Sequence, residues 1–178
     1  MKKNIIIILL LLVIIALIVK TQYYRLTGEP SLSGKYKTEL SELGITSLAS
    51  MDVPVSALLI YKGKIIGRGH NTVLRDSIAG GHAEINALSY ALHSYGYNEF
   101  MQLNRDSLTM LTSFEPCPMC RGAMLEYKIK NVRFLKDKSV EYWIRNYIGE
   151  LLYEIKKTKY QPEALQDSLF SLHPDYRD

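Results

Sequence analysis

The chain has 178 residues, 47% of them hydrophobic, with no low-complexity tract and no internal repeat, which excludes a solenoid and a disordered polyelectrolyte. Its formal net charge of +4 arises at the amino-terminal end, where Lys2, Lys3, Lys20 and Arg25 lie; the other 18 basic residues balance 18 acidic ones, all after residue 28. That balance argues against a domain coated with positive charge for nucleic acid, and two cysteines are too few for a disulfide scaffold.

Residues 5–19 read IIIILLLLVIIALIV, an unbroken apolar run followed by Lys20 and the pair Tyr23-Tyr24. As a helix the run measures about 22 Å, and snorkelling lysines with tyrosines at the headgroups bring it toward a ~30 Å span. The sequence therefore predicts a single-pass transmembrane anchor over 1–25, touching the membrane through 5–19. Nothing like A-x-A follows the run and the only cysteines are Cys117 and Cys120, so a retained anchor is favoured over a cleaved signal or a lipoprotein. The basic flanks are nearly even and leave orientation open. A reduced cysteine pair is easier to keep inside the cell, which favours a cytoplasmic domain.

Residues 26–34, LTGEPSLSG, form a linker, and 35–178 the folded domain. YKTELSELGITSLAS (36–50) predicts a helix. VSALLIY (55–61) and KIIGRGH (64–70), joined by Lys62-Gly63, predict a β-hairpin. A helix starts at His82, SLTMLTS (107–113) fits a buried strand, a helix starts near Pro116, and NVRFL (131–135) is a further strand. From about 139 to 178 the pattern is helical: VEYWIRNYIGELLYEIKK places apolar residues at helical spacing, and Pro162 opens a last helix. The order of elements implies a three-layer α/β/α domain with helices covering a mixed sheet.

The chemistry-bearing residues fall at two helix starts. GGHAEINALSYAL (80–92) begins an amphipathic helix with His82 and Glu84, and FEPCPMC (114–120) puts Cys117 and Cys120 at i and i+3 on one face of another. Two sulfurs and an imidazole make three ligands for zinc, one short of its preferred tetrahedron, as in catalytic sites whose open position takes water. Helix N-termini favour thiolate over thiol. Glu84 is placed to move a proton at that water without ligating the metal.

H-A-E at 82–84 with P-C-P-M-C at 116–120 resembles the signature of the zinc nucleobase and nucleoside deaminases. GRGHN, HAEINAL, FEPCPMCRGAML and KNVRF follow in the order of the tRNA adenosine, guanine and cytosine deaminases, over about 53–136. The resemblance implies a cytidine-deaminase-like fold and one zinc per chain on His82, Cys117 and Cys120. It also implies Glu84 as proton shuttle, with Asn71 and Ala83 at the substrate base. Water would attack the amino-bearing carbon while Glu84 protonates the ring nitrogen and the departing amine. A nucleobase or nucleoside is the expected substrate, adenosine within tRNA the alternative, and a homodimer is compatible with the family. Two features depart from it: the chain enters a helix where a fifth strand is usual, and HSYGYNEFMQLNRD between the motif halves is long and aromatic.

Plainer readings stand beside these. C-x-x-C alone could be a redox pair or a disulfide, and a structural zinc would need a fourth ligand such as His70 or His93. A zinc fold kept for binding or assembly, without catalysis, would lack a ligand or Glu84, and none is missing. Glu115 reads as structural, accepting backbone N–H bonds near the helix start. Lys128, Lys130, Arg133, Lys136 and Lys138 read as a solvated basic face. Ser113, Phe114 and the segment 93–106 are the candidates for reading the base.

Overall fold

The computed structural model describes residues 11, 12, 14, 15, 18, 19, 31–159 and 164–172. Helix α1 (Gly34–Ala49) directs Tyr36, Leu40 and Leu43, at helical spacing, onto one face of the sheet. The hairpin follows as β1 (Ser56–Tyr61) and β2 (Lys64–His70), paired antiparallel with a register irregularity between Leu59 and Ile60. Lys62 and Gly63 both take positive φ, 48° and 76°, the geometry of a two-residue hairpin turn whose twist matches the strands.

A single turn, α2 (Val73–Asp76), leads to α3 (Ala83–Tyr95) and α4 (Tyr97–Gln102). Then come β3 (Leu108–Thr112), α5 (Pro118–Glu126) and β4 (Asn131–Phe134), followed by α6 (Val140–Lys156) and α7 (Ala164–Ser171). The sheet order is β2-β1-β3-β4; β1 runs antiparallel to both neighbours and β3–β4 is parallel, with α5 as the crossover that a parallel pair requires.

Alternation along β1 divides the core. Leu58 and Ile60 meet α1 together with Leu111, while Ala57 and Leu59 join Met110, Ala87, Leu88 and Met124 on the side of α3 and α5. Each fully buried leucine or phenylalanine contributes roughly 1.5–3 kcal/mol. The three-layer α/β/α architecture with a mixed sheet is as the sequence implied. Four strands are present among the described residues, and from β4 the chain turns to Ser139, whose Oγ accepts the Tyr142 N–H at 3.1 Å and caps α6.

The transmembrane anchor over 1–25 is not supported and is corrected here, with the membrane contact through 5–19 and the single-pass localisation that rested on it. Among the described residues no helix is long and apolar enough to cross a membrane. Of the run only residues 11, 12, 14, 15, 18 and 19 are described, all helical; the rest of the expected anchor and of the linker up to residue 30 lies outside the described residues. The physical reason is length: fifteen residues at 1.5 Å each fall well short of a ~30 Å hydrocarbon core.

Candidate metal centre

Two helix N-termini converge beneath one cavity. His82 is the N-cap of α3 and Cys117 the N-cap of α5, with Pro118 in the first turn, where a missing N–H costs nothing. Cys120 lies one turn further along α5 and is fully buried. His82 Nδ1 is 3.5 Å from each of the two sulfurs, which are 3.6 Å apart. Both cysteines are free thiols at that separation.

These three atoms form a compact donor set, all within 4.8 Å of one another. Their 3.5–3.6 Å separations match the edges, about 3.4–3.8 Å, of a tetrahedron with zinc bonds of ~2.0–2.3 Å. The donors therefore fit zinc. Neither His70 nor His93 joins the set: the His70 ring meets the Arg75 guanidinium, and His93 is exposed in the last turn of α3.

Electrostatics at the donors are asymmetric. The hydrogen bond between the sulfurs, opposed by burial and assisted by the Cys120 N–H and His82, brings the Cys117 thiol down to about 5. Cys120, on the other side of that bond and deeply buried, is pushed well up. The Glu84 carboxyl is raised above the ordinary carboxylate range, first by burial.

The cavity, about 500 Å³, is lined by Asn71, His82, Glu84 and Cys117, by Asp52, Val53 and Val55 before and at the start of the hairpin, and by Val73 and Leu74 of α2. Phe114 and Glu115 precede α5, and Lys138 and Tyr142 come from the entry to α6. Ala83 lies behind the wall, fully buried, its N–H donated to Asn71 Oδ1 at 3.3 Å. Asn71 is itself fixed by its N–H to the Val55 carbonyl, and Asn86 Nδ2 ties the same corner by donating to the His70 carbonyl at 2.8 Å.

The structure thus brings together Asn71, His82, Ala83, Glu84, Cys117 and Cys120. Of the segments expected to read the base, Phe114 reaches the cavity, whereas Ser113 Oγ accepts the Ser56 N–H and nothing from 93–106 appears in the lining. Sequence reasoning missed Asp52, Tyr142 and the special position of Lys138. Glu115 is structural in a wider sense than expected: its carboxylate accepts from Arg121 Nη2 at 2.8 Å, the Lys138 N–H at 2.9 Å and Trp143 Nε1 at 2.9 Å, fastening the start of α6 to α5.

Comparison with known proteins agrees with this geometry. The family model for the cytidine and deoxycytidylate deaminase zinc-binding region matches residues 35–136, more than half of the chain. A tRNA-specific adenosine deaminase subunit tad2 of Schizosaccharomyces pombe is 38% identical over 94 residues, covering 52% of this chain and 23% of that protein. A tRNA-specific adenosine deaminase of Buchnera aphidicola is 35% identical over 83 residues, covering 47% and 52%. The chain thus spans 23% to 52% of the length of these curated relatives. A guanine deaminase structure from Bacillus subtilis shares the fold, with a TM-score of 0.58 at 24% identity over 83% of this chain and 99% of the other. The match over 35–136 takes in both helix starts and their three donors, and on that ground the chain belongs to the cytidine and deoxycytidylate deaminase family defined by its zinc-binding region.

Proposed function

We propose that the protein is a zinc-dependent hydrolase that removes the exocyclic amino group of a nucleobase or nucleoside as ammonia. The observation that carries this reading is a three-atom donor set sharing one cavity with a buried carboxylate, Glu84, that is not part of it. His82, Cys117 and Cys120 would hold the metal. When bound, zinc supplies Lewis acidity and lowers the pKa of water at its open position.

The chain's own residues do the rest. Asn71 has its amide oxygen held by the Ala83 N–H, which leaves its NH2 to donate to the base. Glu84 takes the proton of the attacking water on its carboxylate and delivers it to the ring nitrogen. It then carries the second water proton to the amine, so that the carbon gains an oxygen and ammonia leaves. Burial raises the Glu84 carboxyl above the ordinary carboxylate range, which makes its carboxylate a better proton acceptor than that of an exposed glutamate.

A small substrate is favoured by the equal numbers of acidic and basic residues after the first 25, since binding structured RNA rests on neutralising phosphates. The second reading, adenosine within tRNA, is supported by the names of the relatives. Pairing of two copies belongs to the same proposal, supported by exposed Val132 and Phe134 on β4 and Ile144, Ile148 and Leu151 on α6.

The test is ammonia release from guanine, cytosine, adenosine, cytidine, their nucleotides and a tRNA anticodon stem-loop. Glu84→Gln should lower turnover by roughly 10²–10⁴-fold with bound zinc unchanged, whereas Cys117→Ala and Cys120→Ala should lose the metal. Zinc content falling in step with activity in Glu84→Gln would make Glu84 a ligand or a structural group.

A further inference from the structure

Lys138 differs from the rest of its basic stretch. Lys128, Lys130, Arg133 and Lys136 are exposed, as a solvated face should be, whereas Lys138 is half-buried and lines the cavity. Its Nζ lies 3.7 Å from the centroid of the Phe114 ring and 4.8 Å from that of Tyr142. Two ring faces hold the ammonium in place, and of its three N–H donors they leave one for a further acceptor.

Asp52, Glu84 and Glu115 line the same cavity, and none of them is paired with it. Glu115 is already engaged by Arg121, Trp143 and the Lys138 backbone N–H, and Asp52 by the N–H groups of Leu74 and Arg75 and the Ser50 hydroxyl. Glu84 belongs to the reacting end of the cavity. Among the described residues no ion pair includes Lys138, and it is the only lysine or arginine in the lining. A volume of about 500 Å³ exceeds what one planar base fills; it lies in the ~300–1,000 Å³ range of sites for larger ligands.

We propose that Lys138, cradled by Phe114 and Tyr142 at the cavity wall, is a specificity-determining residue that receives a phosphate, so that the nucleoside is bound in a phosphate-bearing form. This rests on the nucleobase deaminase reading of the same cavity. The phosphate is that of a free mononucleotide or of an RNA strand carrying the base. Either makes charge-assisted hydrogen bonds to the ammonium that a nucleoside lacks.

The experiment is equilibrium binding to the zinc-loaded full chain, followed by calorimetry and by the fluorescence of Trp143, the single tryptophan, which adjoins Tyr142. Adenosine, guanosine and cytidine are compared with their 5′-monophosphates and with a short RNA stem-loop. For the preferred base a phosphate-bearing ligand should bind roughly tenfold or more tightly than the nucleoside. Lys138→Gln should abolish that preference and leave nucleoside affinity, bound zinc and Tm near the parent's, while Lys138→Arg should keep it.

A preference confined to the stem-loop and lost in Lys138→Gln supports the proposal with RNA as the source; one seen with monophosphates supports it with the mononucleotide. Equal binding of nucleoside and phosphate forms, or a preference that survives Lys138→Gln, overturns it. Binding requires no turnover, so failure of the deaminase reading would show separately, as absent ammonia release with Lys138-dependent binding intact.

Discussion

Asp52 shows how one side chain can build part of a site from outside it. The N-cap of α2, Thr72, makes no side-chain cap bond, and Asp52 takes its place by accepting the Leu74 N–H at 2.7 Å and the Arg75 N–H at 3.2 Å. Burial pushes its carboxyl up, but these N–H groups, the Ser50 hydroxyl and the Arg75 charge outweigh it and hold the pKa below the usual range. A carboxyl depressed on folding stabilises the protein above its unfolded pKa of about 3.9 and loses that contribution as pH falls through the folded value. Asp52→Asn should therefore lower the urea midpoint at pH 7, and the gap to the parent should close on acidification below about pH 4. A gap independent of pH would mean that shape, not charge, matters there. Asp52 was not legible in the sequence because the N–H groups it caps lie more than twenty residues away. His82 with Glu84, and Cys117 with Cys120, were legible as two local pairs at helix starts, but that the pairs meet across 35 residues of chain came from the resemblance to the deaminase signature, not from spacing.

At the level of elements, the start of α6 depends on one carboxylate. Glu115 joins Arg121 of α5, the Lys138 N–H and Trp143 Nε1, and the Arg121 guanidinium stacks on the Trp143 ring at 3.7 Å. Glu115→Ala would leave three donors without this acceptor in a half-buried setting, a loss of about 1–3 kcal/mol. Urea unfolding should register that loss, and Trp143 emission should shift to the red as α6 loosens; unchanged emission would show that Glu115 does not hold the helix. Longer elements were legible from sequence where a local rule governs them, as with Lys62-Gly63 in the hairpin and the helical spacing of apolar residues in α6. The short helices α2 and α4 were not, since four and six residues carry too little periodicity. What makes α4 a fixed element is tertiary: Phe100, fully buried, anchors it in the core.

For the molecule as a whole, the metal and the fold are coupled. Two helices of one layer, α3 and α5, carry the donor set, so zinc that binds the folded chain and not the unfolded one stabilises it by mass action, about 4 kcal/mol at a thousandfold excess over Kd. Chelation should lower Tm on the order of 10 °C for a chain of this size, and zinc should restore it where magnesium does not. An equal Tm with and without chelator would detach the donors from the fold. The layered architecture was legible because hairpin, helix and strand alternate in a recognisable order. The anchor was misread because snorkelling lysines and headgroup tyrosines were credited with making up the difference between a run of about 22 Å and a ~30 Å core.

One contact joins the hairpin to the donors. A Cβ at Gly69 would lie 2.0 Å from the Ala83 carbonyl oxygen, and one at Gly67 would lie 2.2 Å from that of Ala87, so α3 rests directly on the backbone of β2. Ala83 follows His82, and no side chain intervenes to absorb relative movement. The hairpin and the imidazole therefore shift together, and fixing one damps the other. Amide hydrogen exchange makes this visible at a distance: N–H groups of β1 and β2, none of them a ligand, should exchange more slowly once zinc is bound. Protection confined to the residues around 82 and 117–120 would show that the strand and the helix move independently.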